Sequence, residues 1–186
     1  MKRPSPKNEK IELDLKRYIV SKTDKKGVMT YVNDYFMEIS GYTQKEMIGT
    51  PHSLIRHPDM PKVIFKLLWE RIQEGEDIMA VVKNLAHDGR YYWVTTAFEV
   101  HYDKNDKIDG YTAYRRGARD KVIKKIEKLY KKLLKIEKES GVEASEEYLQ
   151  KFLNKQGMSY DFYILSLVEK KKSFKPFFTS MKKLFE

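Results

Sequence analysis

At 186 residues, 41% hydrophobic and 13% aromatic, the chain has room for one domain of common size plus an appendage, and disorder throughout is excluded. It has no cysteine, so disulfides, thiolate metal sites, C-x-x-C-H haem attachment and cysteine nucleophiles are all excluded. Within the net charge of +10, residues 1–116 hold 20 Lys and Arg against 17 Asp and Glu, and residues 117–186 hold 17 against 10; either a solvated lysine-rich helical face or an acidic, membrane or nucleic-acid partner accounts for that C-terminal excess.

Residues 1–10 are polar with two prolines and predict a mobile arm; Ile11–Arg17 extends it to residue 17 as a short helical or strand lead-in. Tyr18–Thr23, the turn Asp24-Lys25-Lys26-Gly27 and Val28–Val32 predict a hairpin. Asn33-Asp34 opens a short helix stopped by Gly41, and Thr43-Gln-Lys-Glu46 matches the S/T-x-x-E capping box of a second. In the segment Pro51–Trp69, prolines at 51, 58 and 61 stiffen the backbone. A helix with a broad apolar face follows over Lys62–Gln73 and is closed by Gly75. Asp77–Leu85, the turn His87-Asp88-Gly89, Tyr91–Tyr102, the turn Asp103–Asp106 and Ile108–Arg116 predict three further antiparallel strands. This element order is α+β.

Beyond residue 117 the sequence turns helical. Val122, Ile126, Leu129, Leu133 and Ile136 form a coiled-coil-like seam under three heptads long, stopped at Ser140-Gly141 and suited to docking on a partner or on the chain itself. Two more helices are predicted, over about 145–154 and from 160 to about 170. Phe174, Phe177, Phe178, Met181, Leu184 and Phe185 then share one face of a basic amphipathic segment. That face fits an anionic membrane surface, a partner's groove or the chain's own domain.

The frame SKTDKKGVMTYVNDYFMEISGYTQKEMIGTPHSLIRHPDMP, then LLW, VVKNLAHDGRYYWV and GYTAYRRG, resembles a PAS domain from about Tyr18 to Gly117. Y-x-N-x-x-F-x-x-x-S/T-G-Y, here Tyr31, Asn33, Phe36, Ser40, Gly41 and Tyr42, is general to PAS domains. The RHPDMP segment with the KN…DG..YYW strand pair is more restrictive and is similar to the FAD-binding PAS domains of aerotaxis and energy-taxis receptors. The resemblance implies a PAS sensor domain over 18–117, an N-terminal arm over 1–17 and a helical signalling or docking extension over 118–186. It also implies a five-stranded antiparallel sheet with short helices and one longer helix.

For the pocket, the residues leave two readings and the resemblance selects one. Trp69 is plain core or stacks on an isoalloxazine ring; the resemblance puts the flavin against its helix. Arg56, His57 and Asp59 are either an ion-paired turn or donors to the FAD pyrophosphate, arginine providing a bidentate fork. Asn33 and Asn84 carry both donor and acceptor, matching a flavin's pyrimidine edge, and the resemblance places an asparagine at each position near the cofactor. Asn84 read alone only starts a turn. His52, His57 and Asp59 show no recognisable metal-ligand spacing. His87 and His101, expected at the surface, keep haem open as the alternative cofactor.

No phosphate-binding loop, nucleophile elbow, kinase signature or H-E-x-x-H occurs, so no catalytic role is expected. With no run of apolar residues long enough for a membrane span and no signal-peptide core at the start, the chain is expected to be cytoplasmic. The resemblance implies a redox or energy-taxis sensor that binds FAD and signals to a membrane-bound chemotaxis transducer. A homodimer, membrane association through the partner and peripheral membrane contact through Phe174–Phe185 are compatible with it. A DNA-binding regulator is the alternative, but no helix-turn-helix spacing supports nucleic-acid binding. A flavoenzyme ranks below both.

Overall fold

Three hairpin turns, each built on an aspartate, lay down the sheet of this computed structural model, which describes residues 3–168. Strands β1 (Ile19–Asp24) and β2 (Met29–Val32) meet where Asp24 Oδ1 accepts the Lys26 and Val28 N–H groups at 2.8 and 2.9 Å. Asp88 accepts from Arg90 N at 3.0 Å between β3 (Ile78–Leu85) and β4 (Tyr91–Tyr102). Asp103 takes the Asn105 and Lys107 N–H groups between β4 and β5 (Ile108–Gly117). A short carboxylate closing on its own turn is why aspartate recurs at these positions. The strands pair antiparallel in the order β2-β1-β5-β4-β3, and the architecture is α+β as expected.

Between β2 and β3 lie α1 (Asp34–Ser40), α2 (Gln44–Met47), a one-turn 3-10 helix (His52–Ile55) and α3 (Lys62–Gln73). The capping box of α2 is complete: Glu46 N–H donates to Thr43 Oγ1 and Thr43 N–H to Glu46 Oε2. In contrast, α3 follows Pro61 and has no side-chain cap of its own. Its first two N–H groups instead donate to the Glu137 carboxylate, Lys62 N at 3.0 Å and Val63 N at 2.9 Å.

Glu137 belongs to α4 (Asp120–Gln156), which Gly141 breaks with φ 88° and ψ 175°. The predicted stop at Ser140-Gly141 is therefore present, but the second half begins before residue 145. Ser145 is buried inside the helix and donates to the Leu133 carbonyl across the fold-back. The seam residues Val122, Ile126, Leu129 and Leu133 join the same core as Val81 and Trp93, so the seam docks on the chain's own sheet. A third helix, α5 (Tyr160–Val168), joins them. The amphipathic segment Phe174–Phe185 lies outside the described residues.

Strand β3 is a sheet edge, and a bare edge invites pairing with another chain. Here it is covered. Asp161 of α5 accepts from Met79 N at 3.2 Å, Tyr130 of α4 donates to the Val81 carbonyl at 2.7 Å, Met60 Sδ lies 3.2 Å from Lys83 N, and Arg56 bridges Asn84. Tyr130 Oη is also 2.8 Å from Tyr160 Oη, so both C-terminal helices share the grip. The predicted mobile arm is docked as well: Lys7 N donates to the Gly89 carbonyl, Ile11 N and the Tyr91 carbonyl bond at 2.7 Å, and Tyr91 N reaches Glu9. Among the described residues no helix is long and apolar enough to cross a membrane.

Candidate functional site

Alternate residues of the strands turn toward α3, as the two-residue period of a strand requires. Ser21 and Thr23 of β1, Val82 and Asn84 of β3, Phe98 of β4, and Tyr111, Ala113 and Arg115 of β5 line a cavity of about 290 Å³. Its other wall is the 3-10 helix and α3, through His52, Ile55, Arg56, Phe65, Leu68, Trp69 and Ile72.

Three of the six predicted binding residues meet in this cavity: Arg56, Trp69 and Asn84. The Trp69 indole stands edge-on to Tyr111 with ring centroids 5.9 Å apart. Its far edge rests on the Gly27 turn, where an added Cβ would sit 2.7 Å from the ring. The Arg56 guanidinium lies over the Phe65 ring at 3.7 Å, and burial, chiefly, lowers its pKa. Asn84 is 3% exposed, and its Nδ2 has no hydrogen-bond partner. Tyr92 faces Asn84 in the register, and the Asn84 amide acts on its hydroxyl, but the two make no well-formed hydrogen bond; Thr96 Oγ1 on the same strand face has none either. Unpaired buried polar atoms are costly; of these three residues Asn84 alone lines the cavity, and an unpaired amide in its wall suits a ligand that can accept from it.

The other three predicted residues are placed elsewhere. Asn33 is the N-cap of α1: its Oδ1 accepts from Phe36 N and Val20 N, and its Nδ2 donates to the Tyr18 carbonyl. Those bonds occupy the amide in holding β1 to α1, away from the cavity. Asp59 pairs with Lys83 at 2.7 Å on the far side of β3, so the Arg56–Asp59 ion pair considered from sequence does not form. The carboxylate is held below its usual pKa by Lys83 against the opposing effect of burial.

His57 is 3% exposed, and its Nδ1 accepts the Asp59 N–H at 3.0 Å. Burial first and the Lys83 charge second depress its pKa to about 4, so the ring is neutral at pH 7 and its proton sits on Nε2. That nitrogen has no partner. His57 faces a second, open cleft of about 730 Å³, in which Arg56 is shared with the first cavity. Among the described residues no cluster of three metal-ligating side chains occurs.

Sequence reasoning missed Ser21 and Arg115 and weighed His52 only as a metal ligand. Arg115 is 2% exposed, donates to Ser21 Oγ at 3.0 Å and to the Ala113 carbonyl, and lies 2.6 Å from His52 Nε2. Burial and the guanidinium charge hold His52 well below its ordinary pKa, so it accepts as a neutral ring. Burial also lowers Arg115 itself to about 10, which leaves it charged at pH 7. The alternating pattern of β5 puts Arg115 on the same face as Ala113, a signal available in the sequence; its pairing with His52 is not. His87 is exposed beside its turn, whereas His101, expected at the surface, is half-buried and lies 2.6 Å from Thr112 Oγ1. Neither lines the cavity.

Residues 29–115 match the PAS fold family. The chain is 42% identical over 115 residues to the aerotaxis receptor of Escherichia coli (strain K12), covering 62% of this chain and 22% of that protein. It is 25% identical over 100 residues to the bacterioopsin transcriptional activator of Halobacterium salinarum, covering 54% of this chain and 15% of the relative. The chain thus spans less than a quarter of the length of either relative. Among solved structures, the dark state of the blue-light photoreceptor aureochrome 1 LOV domain matches with a TM-score of 0.53 at 18% identity, over 64% of this chain and 86% of that one. An RNA-binding light-oxygen-voltage receptor matches with a TM-score of 0.51 at 13% identity, over 72% and 34%. These structural likenesses concern the fold.

Proposed function

We propose that this chain, whose residues 29–115 match the PAS fold family and which shares 42% identity over 115 residues with an aerotaxis receptor, is a flavin-binding, non-enzymatic sensor of redox or energy state. It holds FAD without a covalent bond and signals by protein–protein contact to a membrane-bound chemotaxis transducer from the cytoplasmic side. The observation that carries this reading is the cavity between α3 and the sheet, where Trp69 offers an aromatic face and Asn84 an unpaired amide. The mostly apolar walls with a few convergent polar groups are those of a small-molecule site.

Bound FAD would supply reversible electron uptake, a chemistry that no side chain of this cysteine-free protein supplies. The chain's own residues bind, orient and report. Trp69 and Phe65 would pack against a flat ring, Asn84 would donate to its polar edge, and Arg115, whose contacts at Ser21, Ala113 and His52 are all to neutral groups, faces the cavity as a charge.

The relay runs through two grips. Asn84 sits on β3, whose outer edge is held by Tyr130 and Asp161, and the α3 helix that carries Trp69 is capped by Glu137. A rearranged hydrogen bond at Asn84, or a shift of α3, therefore acts directly on α4 and α5. A few kcal/mol of differential interaction is enough to bias such a two-state element.

Replacing Asn84 with Ala removes the only polar group that β3 presents to the cavity among the described lining residues. FAD affinity, followed by flavin fluorescence, should fall about tenfold, the worth of one hydrogen bond to a buried amide. An unchanged affinity would remove Asn84 from the site, and a wild-type chain that binds no FAD would end the flavin reading.

A further inference from the structure

The 290 Å³ cavity has room for a flat ring system but not for both halves of a dinucleotide. Arg56 and Ser53 line both this cavity and the adjoining cleft of about 730 Å³, so the two lie on either side of the same turn. One wall of that cleft is the segment from Ser53 to Lys62. The other comes from outside the PAS domain: Leu134, Glu137, Lys138, Gly141 and Val142 of α4.

The charge of this cleft is one-sided. Arg3, Arg56, Lys62 and Lys138 line it against a single carboxylate, Glu137. Both Glu137 oxygens are already engaged by the first N–H groups of α3, at 2.9 and 3.0 Å. His57 adds a buried donor, since its Nδ1 is taken by the Asp59 N–H and its Nε2 has no partner. Four cations and an unpaired N–H beside an arginine fork are donors suited to a pyrophosphate.

Resting on the flavin reading, we propose that the cleft receives the adenosine diphosphate half of the cofactor and that α4, through Lys138 and the backbone bend at Gly141, forms its second wall. The helical extension is then part of the cofactor site, and a dinucleotide clamps it onto the PAS domain in a way that a bare flavin cannot. Occupancy by FAD, separately from its redox state, becomes a condition for the docked arrangement of α4.

The test compares riboflavin with FAD on the full chain, using flavin fluorescence for affinity and backbone amide exchange for residues 134–142. FAD should bind at least tenfold more tightly than riboflavin and slow exchange across 134–142, while riboflavin leaves those amides unchanged. Lys138 is exposed, and Lys138→Glu should weaken FAD about tenfold with riboflavin affinity unaltered. Equal affinities for the two flavins, or tight FAD binding without protection of 134–142 and without a Lys138→Glu effect, would overturn the clamp and leave the flavin reading standing. Binding of neither flavin would overturn both. The exchange measurement needs no variant, so a misfolded Lys138→Glu protein does not remove the test.

Discussion

His57 and His52 are neutral for the same first reason, burial, and each is made costlier to protonate by a nearby cation, Lys83 for one and Arg115 for the other. A histidine whose folded pKa lies below its unfolded value of about 6.5 gives stability that is fully present above that value. That stability is lost as pH falls through the window down to the folded pKa, which is about 4 for His57. Thermal or urea unfolding between pH 7.5 and 4.5 should therefore show stability falling from about pH 6.5 downward. Each histidine contributes a slope of up to about 1.4 kcal/mol per pH unit. Replacing His57 with Gln should flatten part of that slope; an unchanged profile would mean that His57 is not held neutral in the folded state. At this scale the sequence was informative about residue type and weaker on direction. Trp69, Asn84 and Arg56 reach the cavity because their positions on α3, β3 and the proline-stiffened turn point inward. Asn33 and Asp59 were drawn to other work, an N-cap and a lysine partner, by neighbours that only the folded chain supplies.

Among the elements, α3 depends on α4 for its first turn. Pro61 provides the φ for a helix start but no cap, and the Glu137 carboxylate is imported from 75 residues away. Glu137→Ala should cost about 1 kcal/mol, the usual loss on removing an N-terminal cap, read as a lower unfolding midpoint. If Glu137 serves only as a solvated surface charge, the midpoint will move by no more than a few tenths. The bounds of α3, the capping box at Thr43–Glu46 and the three turns closed by aspartate were all legible, because each is written in contiguous residues. The cover on the β3 edge was not. Met60, Tyr130 and Asp161 come from three separate segments, and no local periodicity connects them to Met79, Val81 and Lys83.

For the whole molecule, the division at residue 117 is one of pattern more than of packing. Val122, Ile126, Leu129, Leu133, Leu149 and Leu153 belong to one apolar core with Val81, Trp93 and Val94, and they cover a sheet face that would otherwise meet water. We therefore expect a chain ended after Gly117 to expose Trp93 and the edge of β3, and to elute as aggregate or as a broad oligomer in size-exclusion chromatography. A sharp monomer peak with native-like exchange protection would show instead that the PAS domain stands alone and that the extension is a removable attachment. In sequence the seam suited either a partner or the chain itself; its burial against the chain's own sheet leaves α4 free to serve a partner only by moving. Such movement is what a relay from Asn84 and Trp69 through Tyr130 and Glu137 needs.

The central claim is that the cavity between α3 and the sheet holds a flavin, and the visible absorption spectrum of the full chain as isolated tests it most directly. The account predicts a yellow protein with the two-banded spectrum of an oxidised flavin. Heat should release FAD at close to one equivalent per chain. A colourless protein that stays so after incubation with FAD, or one with the intense Soret band of haem, would contradict it.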